Sequence, residues 1–81
     1  MPTIDRIDGY RVLYYSNDHA PAHVHVMNKD SEVIFVLNCS DGPPTLREDP
    51  INMPSHEANR LCKIVSASVG TYCKKWSQFY G

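Results

Sequence analysis

Alternation of apolar and polar side chains with a period of two marks three strands in the first half of the chain. Residues 10–15 set Tyr10, Val12 and Tyr14 on one side and Arg11, Leu13 and Tyr15 on the other, and the β-branched and aromatic content fits a strand. Residues 23–27 form the second, after a turn carrying Asn17, Asp18 and Pro21. Residues 32–37 form the third, reached through Asn28-Lys29-Asp30-Ser31, a polar connection of hairpin length. These three pair up-down-up. The run from Val33 through Leu37 is apolar throughout, so the third strand is expected to be buried on both faces, as a central or helix-covered strand.

The period then changes. Residues 38–53 hold Asp41-Gly42-Pro43-Pro44 and Pro50, which stop regular pairing; Thr45-Leu46-Arg47 has room for one short edge strand. Ser55 stands where a helix N-cap belongs, with Glu57 in the first turn. Beyond it Ala58, Leu61, Cys62, Val65, Val69, Tyr72, Cys73, Trp76 and Phe79 recur as one helical stripe about six turns long. Gly70 interrupts it and marks either a close strand approach or a bend. The order predicts an α+β fold, a three- to four-stranded antiparallel meander covered by one long C-terminal helix, as a single domain over residues 1–81.

Composition narrows the setting. An apolar content of 42% in 81 residues suffices for one core, and a domain this small gains burial by forming a homo-oligomer. Eight basic and nine acidic residues nearly cancel, so net charge does not favour nucleic acid, and Lys74-Lys75 and Arg60 with Lys63 read as solvated charges. Cys39, Cys62 and Cys73 contain no C-x-x-C pair and cannot all be disulfide-bonded within one chain, so reduced thiols are expected. Cys62 and Cys73 fall on the same helix face as small core residues. No leader-like segment or apolar run of ~20 residues is evident. The expectation is a cytoplasmic protein outside the membrane.

Candidate chemistry gathers at one place. Three of the four histidines, His19, His23 and His25, lie within seven residues. On a strand His23 and His25 point the same way, with backbones ~6.5–7 Å apart. Two imidazoles so placed can bind zinc, with His19 or Asp18 as further ligands. They can also act as acid and base in RNA cleavage, for which only Arg11 and Lys29 are plausible charge-stabilising neighbours. The preferred reading is plainer: rings hydrogen-bonded within the sheet, with no cofactor assigned and no catalytic residue committed. Trp76, Phe79 and Tyr80 at the helix end are the candidate partner-binding residues, because large rings anchor protein interfaces.

The opening Met1-Pro2-Thr3-Ile4, the segment Tyr15-Ser16-Asn17-Asp18-His19 followed by Ala20-Pro21-Ala22-His23-Val24-His25-Val26, the apolar third strand and the closing Lys75-Trp76-Ser77-Gln78-Phe79-Tyr80-Gly81 together resemble the domain-of-unknown-function family numbered 4160. The resemblance covers nearly the whole chain. It implies a small bacterial or phage-borne protein, often encoded beside a partner from the unknown-function family numbered 2442 and described as toxin–antitoxin-like. No catalytic residues come with it. Residues 38–53 depart from the family in being longer and richer in proline.

The function expected from this reading is binding of a protein partner, in a toxin–antitoxin-like or mobile-element setting. The alternatives are a ribonuclease or metal-binding protein centred on His23 and His25, and a phage inhibitor of a host defence complex.

Overall fold

Asp8 and Gly9 both take positive φ, 47° and 87°, the mirror-image turn that matches the twist of a hairpin and favours Asp-Gly. They join two strands that the computed structural model, which describes residues 3–14, 21–39 and 43–80 without the Tyr80 side chain, pairs from Ile7 and Tyr10 back to Thr3 and Leu13. The strands are β1 (Thr3–Ile7), β2 (Tyr10–Leu13), β3 (His23–Met27), β4 (Glu32–Val36) and β5 (Thr45–Leu46), followed by helices α1 (Ser55–Ala67) and α2 (Val69–Tyr80). The sheet is antiparallel in chain order, β1-β2-β3-β4-β5.

Five strands replace the three or four expected. β1 escapes the alternation pattern because its register shifts between Thr3 and Asp5, which breaks period two where it would be read. Tyr15, included in the first expected strand, lies outside the described residues. β4 also differs from expectation: Val33 and Phe35 are buried, whereas Ile34 and Val36 are half-buried. The third run therefore has one fully covered face, and its following residue, Leu37, is buried and donates its N–H to the Ala22 carbonyl at 2.9 Å.

Both helices lie against one face. Val12, Val24, Val26, Val33 and Phe35 of the sheet share a core with Ala58, Leu61, Val65, Tyr72 and Cys73. The single long helix is corrected to two. Ser68 leaves helical geometry (φ −117°, ψ 13°), in the run Ser68-Val69-Gly70, three weak helix formers in succession. Gly70 admits no close strand, since a Cβ there would meet nothing within 4 Å. At the other end Pro54, not Ser55, is the cap; its extended backbone (φ −69°, ψ 153°) leaves its carbonyl to accept the N–H groups of Glu57 and Ala58 at 3.1 and 3.2 Å.

The thiol expectation is also corrected. Cys39, after β4, is joined to Cys73 of α2 in a disulfide with Cα atoms 5.9 Å apart, while Cys62 is free and half-buried. An odd count forbids pairing all three, but the packing of α2 against the strand ends brings two together. Cys73 is part of the core and Cys62 packs against it, as the helical spacing predicts. No helix among the described residues is long and apolar enough to cross a membrane.

Candidate functional site

The histidine pair is built by register. Leu13, His25 and Ile34 are partners across β2, β3 and β4, and His23 partners Val36, so the two imidazoles share the face turned away from the helices. Their rings lie 5.3 Å apart at 61°. Both are buried nevertheless, with exposures of 2% and 4%.

Each ring is oriented by a partner from elsewhere. His23 donates from Nδ1 to the Pro21 carbonyl at 2.8 Å, and Arg47 donates from Nη1 to His23 Nε2 at 3.2 Å. That arrangement selects the Nδ1–H tautomer. His25 donates from Nδ1 to the Glu32 carboxylate at 2.9 Å. Glu32 was legible in principle, because a four-residue turn that pairs His25 with Ile34 makes Glu32 the diagonal neighbour. Arg47 had no such signal, since it sits in the proline-rich segment.

An aromatic chain continues from the histidines. Trp76 lies 5.3 Å from His23 and 5.2 Å from Tyr14, edge-on to the latter, so it links the two faces where β2 ends and β3 begins. Tyr14 is fully buried, and its hydroxyl donates to the Tyr72 carbonyl. Phe79 meets Tyr14 edge-on at 5.9 Å and is 52% exposed.

This geometry limits the chemistry. A metal at His23 would have to displace the Pro21 carbonyl or the Arg47 guanidinium, and a guanidinium repels a cation. Among the described residues no three His, Cys, Asp or Glu side chains gather as a ligand set; His19 and Asp18 lie outside them. An acid or base must reach the proton it moves, and two nearly enclosed imidazoles offer a substrate little access. Arg11 and Lys29 do come together, but in a cleft that neither histidine lines.

Charge is organised separately at the start of α1. Arg60 bonds both Glu57 oxygens at 2.8 and 2.9 Å and reaches Asp8 at 2.7 Å, while the Tyr10 hydroxyl donates to Glu57 at 2.9 Å. The Arg60 guanidinium first, and then the Tyr10 hydroxyl, hold Glu57 down to about 2. Burial, with the Glu57 hydrogen bond, pushes Tyr10 upward. Burial also raises Tyr72, helped by its hydrogen bond to Asp5 at 2.8 Å. These contacts tie α1 to the first hairpin and α2 to β1.

The histidine pair, Tyr14, Glu32, Arg47 and Trp76 fall within residues 9–77, which match the family model described as Domain of unknown function (DUF4160); Asp5, Asp8 and Phe79 lie just outside the match. The chain belongs to this family. Neither the curated proteins nor the solved structures provide a match. For this DUF4160 domain the functional argument therefore rests on its own residues.

Proposed function

We propose that this DUF4160 domain acts by binding a protein partner at the end of the sheet where α2 meets the start of β3. One observation supports this above the others: Phe79 is 52% exposed while its edge rests on fully buried Tyr14. A ring anchored by the core and open to solvent has little freedom left to lose on docking, which is what a binding hot spot requires. Trp76 plays a different part. It is half-buried between Tyr14 and His23 and shapes the surface from beneath. The Tyr80 side chain lies outside the described residues.

The toxin–antitoxin-like setting that the family resemblance implies supports a partner encoded by the neighbouring gene. A phage inhibitor of a host defence complex would use the same surface and differ only in what it meets. The test is calorimetric titration of the neighbouring gene's product into wild type, Phe79→Ala and Ile51→Thr, the last altering an exposed residue that bridges to Glu32. Phe79→Ala is expected to weaken binding about tenfold or more with unchanged circular dichroism, and Ile51→Thr to leave it unchanged. Unaltered affinity in folded Phe79→Ala defeats the reading.

A further inference from the structure

At the opposite end of the sheet, the β1–β2 hairpin and the β3–β4 turn enclose a cleft of about 510 Å³ lined by Arg6, Gly9, Arg11, Met27, Lys29 and Asp30, with Asn28 beside them. Register explains its charge. Arg6 is the direct cross-strand partner of Arg11, and Arg11 of Met27, so two guanidinium groups start from neighbouring Cα atoms about 5 Å apart on one face. Like charges placed opposite one another are destabilising unless something between them compensates.

The nearby carboxylates are turned to other partners. Asp5 accepts from Tyr72, Asp8 from Arg60, and Glu32 from His25. No ion pair among the described residues joins a carboxylate to Arg6, Arg11 or Lys29. Among the described residues the cleft thus holds three cations against the one carboxylate of Asp30, a local surplus of two positive charges in a chain of net charge −1.

The geometry is also ordered in advance. Arg11 donates from Nε and Nη2 to Thr3 Oγ1 at 3.3 and 3.1 Å, which fixes the guanidinium plane through that edge and leaves the Nη1/Nη2 end as the fork for a ligand. Asn28 Oδ1 accepts the N–H groups of Asp30 and Ser31, each at 2.8 Å, and shapes the turn that carries Lys29. Gly9, at φ 87°, adds no side chain to the rim.

We propose that this cleft is a binding site for a phosphoryl group. Two planar forks and an ammonium suit a tetrahedral oxyanion with three or more acceptor oxygens and about two negative charges, whereas a carboxylate would satisfy only one fork. The volume lies within the ~300–1,000 Å³ range of small-ligand pockets. Among the described residues no aromatic ring lines the cleft, so the phosphoryl group itself, rather than a stacked base, is what it recognises. The site does not depend on the partner-binding surface around Phe79.

The test is titration of isotope-labelled protein, followed by amide and arginine side-chain NMR shifts, with inorganic phosphate, pyrophosphate, a 5′-mononucleotide and a ten-nucleotide single-stranded RNA at fixed ionic strength. Shifts at Arg6, Gly9, Arg11 and Lys29 are expected with the phosphoryl ligands. Response to the first three probes but weaker response to RNA assigns a terminal phosphate; tighter binding of RNA assigns an internal phosphodiester. The Arg6→Gln/Arg11→Gln variant, or Lys29→Gln should that one misfold, is expected to weaken binding at least tenfold. Asp30→Asn is expected to tighten it severalfold. Shifts elsewhere only, an equal response to chloride, or undiminished binding in the folded arginine variant overturns the proposal.

Discussion

Reducing the Cys39–Cys73 bond tests how the helix end is held. The two residues are 34 positions apart, and on the chain-entropy account opening a loop of that length costs about 3.8 kcal/mol. Small domains are stable by only ~5–15 kcal/mol, so this is a large share. At ~4–8 °C per kcal/mol the melting temperature should fall by about 15–30 °C. The loss should first be felt at Trp76, one turn beyond Cys73 and the chain's single tryptophan. The assay is thermal unfolding of the Cys62→Ser protein with and without a phosphine reductant, followed by tryptophan emission and far-ultraviolet dichroism, with bond status confirmed by mass. Cys62→Ser prevents thiol exchange. Melting points within about 5 °C of each other, with the bond verified in one sample and absent from the other, would refute the reasoning.

Two further outcomes follow from local geometry. Gly70→Ala should raise stability by about 0.5–1 kcal/mol in urea titration, because the site is helical, exposed and open to a Cβ; a loss would mean that the bend at Ser68 needs this glycine. Stability should also fall at both pH extremes. Glu57, held at about 2 against an ordinary 4.5, binds fewer protons folded than unfolded between these values. Its contribution is therefore present above pH 4.5 and lost as pH drops toward 2, a limb that Glu57→Gln should flatten. Tyr72, raised above its ordinary 10.0, keeps its proton longer when folded, so stability is lost as pH climbs past 10.0 and Tyr72→Phe should reduce that loss.

How far the fold was legible depended on whether its signals were local. β3 was readable residue by residue because His23, Val24, His25, Val26 and Met27 sit between unmistakable turns, and its pairing with β4 followed from the length of the connection. The short β5 pairing of Leu46 with Phe35 was also foreseeable as an edge strand. β1 was not read: Ile4 and Ile7 are three apart, and the irregularity at Thr3 and Asp5 conceals the alternation. The Asp8-Gly9 turn was its available signal. The helix break was hidden for a different reason. Val65 and Tyr72 are seven apart and both buried, so the apolar stripe continues through Ser68 as though one rod were present.

The histidine motif shows why residue type and spacing specify direction but not role. Two positions apart on a strand, His23 and His25 had to point together, and they do. What each ring bonds or packs against depended on Glu32, seven residues from His25, and on Arg47 and Trp76, which come from distant parts of the chain. With those partners present, an imidazole does what no aliphatic side chain could: it accepts from a guanidinium, donates to a backbone carbonyl and still packs a ring against an indole, tilted at 50°. Replacing His23 by leucine would remove the acceptor used by Arg47 and the donor used by Pro21 at once, losing two part-buried hydrogen bonds. The motif that looks most like chemistry is thus the support on which Trp76 rests, and through Trp76 and Tyr14 it sets the position of Phe79. The cationic cleft lies at the far ends of the same strands, where β3 finishes at Met27. A single register, His25 opposite Leu13 and Met27 opposite Arg11, therefore aligns both surfaces, and a slip of one residue would turn the imidazoles into the core and the arginine forks away from each other.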